Sequence, residues 1–568
     1  MKRVLLILPP IQDFYFTFSR NYPLGLLYLA TLLIKEGFEA KIVNALEWRR
    51  KVTIRIPQNF SYLKRYYHPN KSPFRLFNNF YHFGLTFEEI QNFLKDFKPH
   101  IVGISANFSC YFDSAIQVAE TVKKVDKRII VVVGGRCATS RPHMLIKNPS
   151  IDFVIRGEAE YTFLELCKKV DKKIEYIPGL CYRVGSKSFI SSQVPIIEDL
   201  DRLPYPERRL INYDEYKIDG NVYTSLIASR GCNLGCRFCA IKEPFRYRKA
   251  ENVFGEIEIC YNLGIRHFNF EDDNINLNPQ FEKLLDLIID NLVDKGKSIR
   301  ISFMNGLMSK NLNFSILNKL KKCGLTHVDF SLVTRKKSLI KYLNRCQEKK
   351  IFSFSSYLAD RNIYPFVHFI VGLPHQKFEE CFEDVSFLAG KRVFLGPSIF
   401  YPVMESSLFK EISSAYQIRE EDYIYFRSSC AYFEKDMKRD EIFFIFYICR
   451  VINFIKGVID KFMLSNHDFL SWVEKTTFSV KLSEGKIVFS EKLDKYTLGA
   501  VIIRELLTQE ALFRIVLEKK KGVYVYKLIR EEFISSQLIK TFLQKVRNIC
   551  GVKNPSFVQL QGAYSPLQ

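Results

Sequence analysis

A chain of 568 residues, 47% hydrophobic and 26% charged, is too long for one hydrophobic core and too apolar for extended disorder. Its fourteen cysteines lack the dense spacing of a small disulfide scaffold and the N-terminus lacks a cleavable leader pattern, which together point to a reducing cytoplasm. The net charge of +23 suits nucleic acid, a membrane surface or an anionic substrate, yet Lys and Arg run along the whole chain, so a solvated basic surface serves equally and nucleic acid stays open as a partner.

Strand–helix alternation organises the first third. Residues 4–8 are an apolar run ended by Pro9-Pro10, as a buried parallel strand would be. A helix follows to Ile34, with Gly37 as its C-terminal stop. Further strands are expected at 38–43, 101–105, 129–133 and 151–155, with a helix at 114–125. This spacing predicts an α/β fold that begins with a doubly wound, Rossmann-like parallel sheet over residues 1–195. Residues 46–95 break the rhythm, being aromatic, basic and punctuated by Pro57, Pro69 and Pro73, and read as an insertion ending in a helix at 87–97.

A polar linker at 200–209, carrying Pro204 and Pro206, leads into a second series. Its strands are expected at 225–228, 267–271, 299–303, 327–332, 366–371 and 398–401, with intervening helices such as 279–292 and 314–322. Six such units predict a partial (βα)6 barrel over residues 196–410, with its site at the C-terminal strand ends. Residues 411–568 read as a mixed helix-and-strand accessory domain without an internal repeat. The longest apolar run, 442–449, falls short of the ~20 residues needed to span a bilayer. A buried helix is expected there, with a monotopic membrane contact as the alternative, and no transmembrane segment.

Cys232-x3-Cys236-x2-Cys239 follows the first barrel strand and the Arg230-Gly231 turn. Three thiolates on one short loop can hold three irons of a 4Fe–4S cube and leave the fourth open for a ligand. Zinc would want a further thiolate or imidazole at knuckle spacing, and Cys260 instead falls inside the next helix. Three merely buried cysteines would be an odd coincidence on a loop.

The segment SRGCNLGCRFCAI resembles the signature loop of the radical S-adenosylmethionine (SAM) superfamily, and the resemblance extends over about residues 200–410. It implies a 4Fe–4S cluster on Cys232, Cys236 and Cys239, with Phe238 against the adenine of SAM. Glu271, Asp272 and Asp273, in FNFEDDNINLN, stand where the family contacts the SAM amino group, Glu271 and Asp272 foremost; a helix N-cap cluster before Asn278-Pro279 is the plainer use. In HVDFSLVT (327–334) the Glu-Ser pair of many relatives is replaced by Val333-Thr334, which leaves Ser331 for the ribose. Arg345 stands where an arginine often reaches the SAM carboxylate, an exposed surface arginine being the alternative. FIVGLP (369–374) resembles the strand near adenine, and Tyr401 in SIFYPVMESS (398–407) would line the substrate cavity.

The first domain resembles the cobalamin-binding domain found fused to such barrels, through YPLGLLYLATLL (22–33), FKPHIVGIS (97–105), VVVGGRCATSRP (131–142) and FVIRGEAEYTFLEL (153–166). Gly134 and Gly135 would let the backbone approach cobalamin closely. The Asp-x-His-x-x-Gly motif is absent and Cys137 replaces the usual histidine after the glycine pair, so cobalamin would be held without a protein imidazole. Glu158 and Glu160 open a helix, where acidic residues also complement its dipole. Cys110, Cys137 and Cys167 do not make a second cluster triad, because Cys167 sits within an apolar helix; they read as packing residues.

Together these resemblances imply a class B radical SAM methyltransferase. Its 4Fe–4S cluster would cleave SAM to a 5′-deoxyadenosyl radical, and cobalamin would carry a methyl group to an unactivated carbon. A non-methylating cyclase or rearranging enzyme of the same architecture is the alternative, as is a basic, cluster-containing polyanion-binding protein. The implied partners are a small-molecule or natural-product substrate and an electron donor such as flavodoxin or ferredoxin. Beyond the cluster ligands, no residue is assigned a catalytic role.

Overall fold

The computed structural model describes residues 2–549 except 48, 173–175, 219, 467, 521 and 522. A seven-stranded sheet organises the N-terminal lobe, in the order Lys187–Phe189, Leu180–Val184, Phe153–Ile155, Ile130–Gly134, Ile101–Ser105, Arg3–Leu8, Glu39–Asn44. Its last five members are parallel. The Leu180–Val184 and Lys187–Phe189 strands extend it as an antiparallel hairpin, an addition that the strand–helix rhythm does not announce. Helices Leu24–Lys35 and Ala159–Lys169 cover one face, and Phe87–Phe97 and Phe112–Val125 the other, which explains why Val4 to Ile7 are buried throughout. Phe87–Phe97 starts with a reciprocal capping box between Thr86 and Glu89. Numbered along the chain, the parallel strands stand in the order 2-1-3-4-5. Ligands of such sheets bind beyond the carboxyl ends of strands 1 and 3, here Leu8 and Ser105.

The 46–95 segment is no isolated insertion. Phe80–Phe83 pairs with Ile11–Asp13 on one side and with Lys51–Ile54 on the other, in a small antiparallel sheet beside that edge. Between them, Phe60, Leu63, Tyr66, Tyr67 and Phe74 pack into the core shared by the barrel and the C-terminal region. The Tyr66 and Phe443 rings lie 4.5 Å apart, and the Lys71 amide donates to the Ile515 carbonyl at 2.8 Å.

Six parallel strands form the partial barrel: Asn221–Leu226, His267–Phe270, Arg300–Phe303, His327–Val333, Tyr364–Val371 and Phe394–Ile399. A bridge from Leu307 to Phe330 joins its two halves. Leu226, Phe268, Phe270, Ile301, Phe330 and Val367 face the helices, and the alternate residues Ser225, Asn269, Ser302, Asp329 and His368 face the interior. The 200–209 segment is more than a polar linker: Arg208 is 2% exposed and pairs with Glu256 of helix Ala250–Asn262 at 2.7 Å.

The apolar run at 442–449 belongs to a 24-residue helix, Arg439–Phe462, which is longer than the run itself and long and apolar enough by length and composition to cross a membrane, yet it is mostly buried within the protein, as the expected buried helix would be. It lies on strand Phe394–Ile399 and helix Phe378–Ala389. Ile442, Phe443, Phe444, Ile445, Tyr447 and Ile448 are buried there, each contributing roughly 1.5–3 kcal/mol of transfer free energy before entropy. An antiparallel sheet, Lys486–Phe489, Val523–Arg530, Phe513–Lys520, completes the C-terminal region with helices Asp468–Thr477, Lys495–Gln509 and Ser536–Ile549.

Candidate active site

A two-stranded ladder, Ser229–Arg230 with Arg246–Tyr247, forms the neck of the cysteine loop. Gly231 has φ +82°, and a Cβ there would stand 2.2 Å from the Pro244 carbonyl oxygen, so only glycine lets the two sides of the neck close. The Cys232 amide donates to the Glu243 carbonyl at 3.3 Å. On its other side the loop is held by Leu343-Asn344-Arg345. The Arg237 amide donates to the Leu343 carbonyl at 3.0 Å, the Asn344 side chain donates to the Gly235 carbonyl at 3.0 Å, and Arg345 Nη1 lies 3.8 Å from Cys236 Sγ.

Cys232, Cys236 and Cys239 line a cavity of about 140 Å3 together with Phe238, Asp273, Asn274, Met308, Ser331 and Arg345. Burial pushes the Cys232 and Cys239 thiols up, and the neighbouring sulfurs add to the shift. A bound metal reverses this by holding the sulfurs as thiolates. Among the described residues no three His, Cys, Asp or Glu side chains converge on a single-ion site. A four-iron cube takes each thiolate on a separate iron, and three cysteines around one cavity are the donor set that such a group needs.

Of the residues expected around SAM, Phe238, Asp273, Ser331 and Arg345 line this cavity, and Glu271 and Asp272 do not. Asp272 is buried and turned away. It accepts from the Ala228 amide at 3.1 Å and the Ser229 hydroxyl at 2.5 Å, and burial pushes its carboxyl up to about 7. Glu271 accepts from the Ser225 hydroxyl, and burial pushes it too up to about 7. Asp273 and Asn274 take the place at the cavity wall. Strand alternation carried signal for this: Phe268 and Phe270 face the helices, which puts Asp272 on their side.

Two buried polar atoms at the wall have no partner, Asn274 Oδ1 and Arg345 Nε. An acceptor and a cationic donor in one cavity suit a ligand with an amino and a carboxylate group, as SAM has. Strand His327–Val333 bulges between Ser331 and Val333, and Val333 adopts φ +69°, a strained conformation for a β-branched residue. The Ser331 carbonyl there accepts from Arg345 Nη2 at 2.9 Å.

The ligand-binding edge of the N-terminal lobe faces the same region. Arg20 donates to the Met304 carbonyl at 3.0 Å, and Arg136 lies 3.6 Å from Asp273 and 3.8 Å from Glu243. Gly134 ends strand Ile130–Gly134, and Gly135 follows it as the turn immediately before Arg136. Gly135, at φ +119°, passes so close to Ala106 that a Cβ would meet its carbonyl oxygen at 2.7 Å, while the Cβ direction of Gly134 is open. Phe108, 61% exposed, follows the strand ending at Ser105. Tyr401, 39% exposed, stands beyond the last barrel strand, where Cys110, Tyr15 and Arg20 of the N-terminal lobe bear on its hydroxyl. Such an edge can receive a flat ligand through backbone and aromatic surface. Cys137 is buried in the core behind the turn, so it does not replace the missing histidine as a ligand.

Comparison with known proteins agrees with this geometry. The family model of the radical SAM superfamily matches residues 226–388, and that of the B12 binding domain matches residues 76–167. An uncharacterized methyltransferase from Pyrococcus horikoshii is 27% identical over 397 residues, covering 68% of this chain and 77% of the relative. Cytidylyl-2-hydroxyethylphosphonate methyltransferase from Streptomyces wedmorensis is 27% identical over 312 residues, covering 48% and 55%. The fold is shared with the radical SAM methyltransferase TsrM from Kitasatospora setae, solved with cobalamin and a 4Fe–4S cluster bound, at TM-score 0.57 and 15% identity over 73% of this chain and 78% of that one. The cysteine loop, the barrel around it and the adjoining sheet thus have one account: the chain joins a radical SAM domain to a B12-binding domain, and the cofactors of that pair are a 4Fe–4S cluster, SAM and cobalamin.

Proposed function

We propose that this enzyme transfers a methyl group to an unactivated carbon of a small-molecule substrate, using SAM and cobalamin. The observation that carries the reading is the convergence of two sites: the cysteine-lined cavity and the ligand edge of the N-terminal lobe meet across Arg136–Asp273 and Arg20–Met304. When bound, the cluster supplies an electron for SAM cleavage and cobalamin supplies a methyl carrier. Cys232, Cys236 and Cys239 would hold the cluster, and Arg345 and Asn274 would orient SAM by its carboxylate and amino groups. Phe238 would cover the adenine and Ser331 would lie at the ribose. Gly134, Gly135 and Phe108 would seat cobalamin without an imidazole from the protein. Tyr401 would separate the two reactants from bulk water on the substrate side. An electron donor, flavodoxin or ferredoxin in kind, would reduce the cluster.

The test is anaerobic reconstitution with iron, sulfide and cobalamin, followed by methyl-labelled SAM and a strong reductant. The reading requires 5′-deoxyadenosine from the wild type and none from the Cys232→Ala, Cys236→Ala, Cys239→Ala variant, with cobalamin retained in the visible spectrum. Label in a product completes it. Deoxyadenosine with label confined to SAM-derived fragments would instead favour a cyclase or rearranging enzyme. Failure of cluster-loaded protein to cleave SAM would sink the enzymatic reading and leave polyanion binding.

A further inference from the structure

We infer that Glu158 and Glu160 are positioning residues for the cysteine loop, anchoring both strands of its neck to the N-terminal lobe. The inference rests on the cluster reading above. Both carboxylates come from the start of helix Ala159–Lys169, and their partners bracket the three cysteines. Arg246 gives Glu158 a two-pronged contact, Nη1 and Nη2 each donating at 2.9 Å. Arg230 donates to Glu160 at 2.6 Å and lies 3.5 Å from Glu158. Side-chain exposures are 16% for Glu158, 8% for Glu160, 15% for Arg230 and 7% for Arg246. Water therefore screens these pairs little.

The arrangement does more than join two lobes. Arg230 immediately precedes Gly231-Cys232, and Arg246 is its partner across the ladder, so one helix start holds the entry and the exit of the loop together. A planar guanidinium gripped by two carboxylate oxygens has a fixed orientation, which a single contact would not impose. Arg246 also donates to the Ile197 carbonyl at 2.6 Å, while the Ile197 amide donates to Glu158 at 2.5 Å, which closes the network. Burial alone would raise the Glu158 carboxyl, yet the two arginines hold it below the usual range, so it stays charged. Arg136 provides a further tether through Glu243, whose carbonyl receives the Cys232 amide. The docked position of the N-terminal lobe thereby sets the separation of the two neck strands between which the cysteine loop is hung.

The test uses the full chain reconstituted anaerobically with iron and sulfide. Iron release to a ferrous chelator and the electron paramagnetic resonance spectrum of the reduced cluster, with and without SAM, are compared among variants. Glu158→Gln with Glu160→Gln should release iron about tenfold faster, the order expected when a contact behind a metal ligand is removed. It should also change the spectral response to SAM. Glu158→Arg combined with Arg246→Glu should restore part of both. Glu158→Asp keeps the charge but shortens the reach, and the same readouts on it decide the matter if the double variant does not fold. Wild-type release rates and spectra in folded variants, even with a lowered melting temperature, would overturn the inference and leave a purely structural ion pair. A wild-type chain that takes up no iron would defeat the cluster reading, and this inference with it.

Discussion

Arg208 donates to Glu256 at 2.7 Å with both side chains only 1% exposed, and Arg248 reaches the other carboxylate oxygen at 2.6 Å. Three charges thus share one buried site at the start of the barrel. Removing the central carboxylate leaves two guanidiniums facing each other away from water. Glu256→Gln should lower the unfolding free energy by about 3–5 kcal/mol, measured by denaturant titration.

The same site makes an acid prediction. Burial would raise the Glu256 carboxyl, but the two arginines outweigh it and hold it below its ordinary value. A carboxyl depressed in the folded state stabilises above the pH where an unfolded glutamate titrates, about 4.3, and that stabilisation is lost as pH falls through the folded value. Wild-type stability should therefore drop on acidification below about 4.3, with a shallower slope in Glu256→Gln. Equal slopes would remove Glu256 from the account.

Lys456 donates to the carbonyls of Leu388, Lys391 and Val393 at 2.9, 2.8 and 2.7 Å. It finishes the end of helix Phe378–Ala389 from the neighbouring helix Arg439–Phe462. Lys456→Met keeps the stem and removes the donors, and a loss of about 1–3 kcal/mol is expected in thermal or denaturant unfolding.

Asn274 and Asp272 should behave differently although they are near neighbours. Asn274→Ala and Arg345→Met should weaken SAM binding roughly tenfold to a hundredfold by calorimetry on cluster-loaded protein, while the fold melts as before. Asp272→Ala should act first on the melting temperature, because its oxygens hold the Ala228 amide and the Ser229 hydroxyl. Equal SAM affinity across all three would discard the cavity assignment.

Gly231→Ala tests the neck. Its left-handed φ alone costs a residue with a Cβ roughly 1–2 kcal/mol, before the contact with Pro244 is counted. Reconstituted protein should fold yet hold less iron per chain. Full iron content in this variant would show that the neck can relax.

The barrel strands and the cysteine loop were legible because each is a local pattern: an apolar alternation of a few residues, or three thiols in eight positions. The expected strand at 267–271 overlaps the observed His267–Phe270, and 327–332 lies within His327–Val333. Features built from distant partners left no such mark. Glu158 and Arg246 stand 88 positions apart, so Glu158 read only as a helix-start acid. Arg208 looked like a linker residue because Glu256 lies in a later helix. Of the three adjacent acids 271–273 only Asp273 reaches the cavity, a choice that depended on which face of the strand each occupied, and the neutral Asn274 beside it was missed.

The strap from Gln58 to Phe74 inserts Phe60, Tyr66, Tyr67 and Phe74 of the N-terminal lobe into a core completed by residues beyond 430. A gene cut after residue 195 would therefore produce a lobe with a greasy tongue and nothing to cover it. Such a fragment should aggregate on expression, and swapping lobes between relatives should fail unless strap and C-terminal region travel together. Heredity has to treat the two ends of this polypeptide as one unit, although the barrel lies between them.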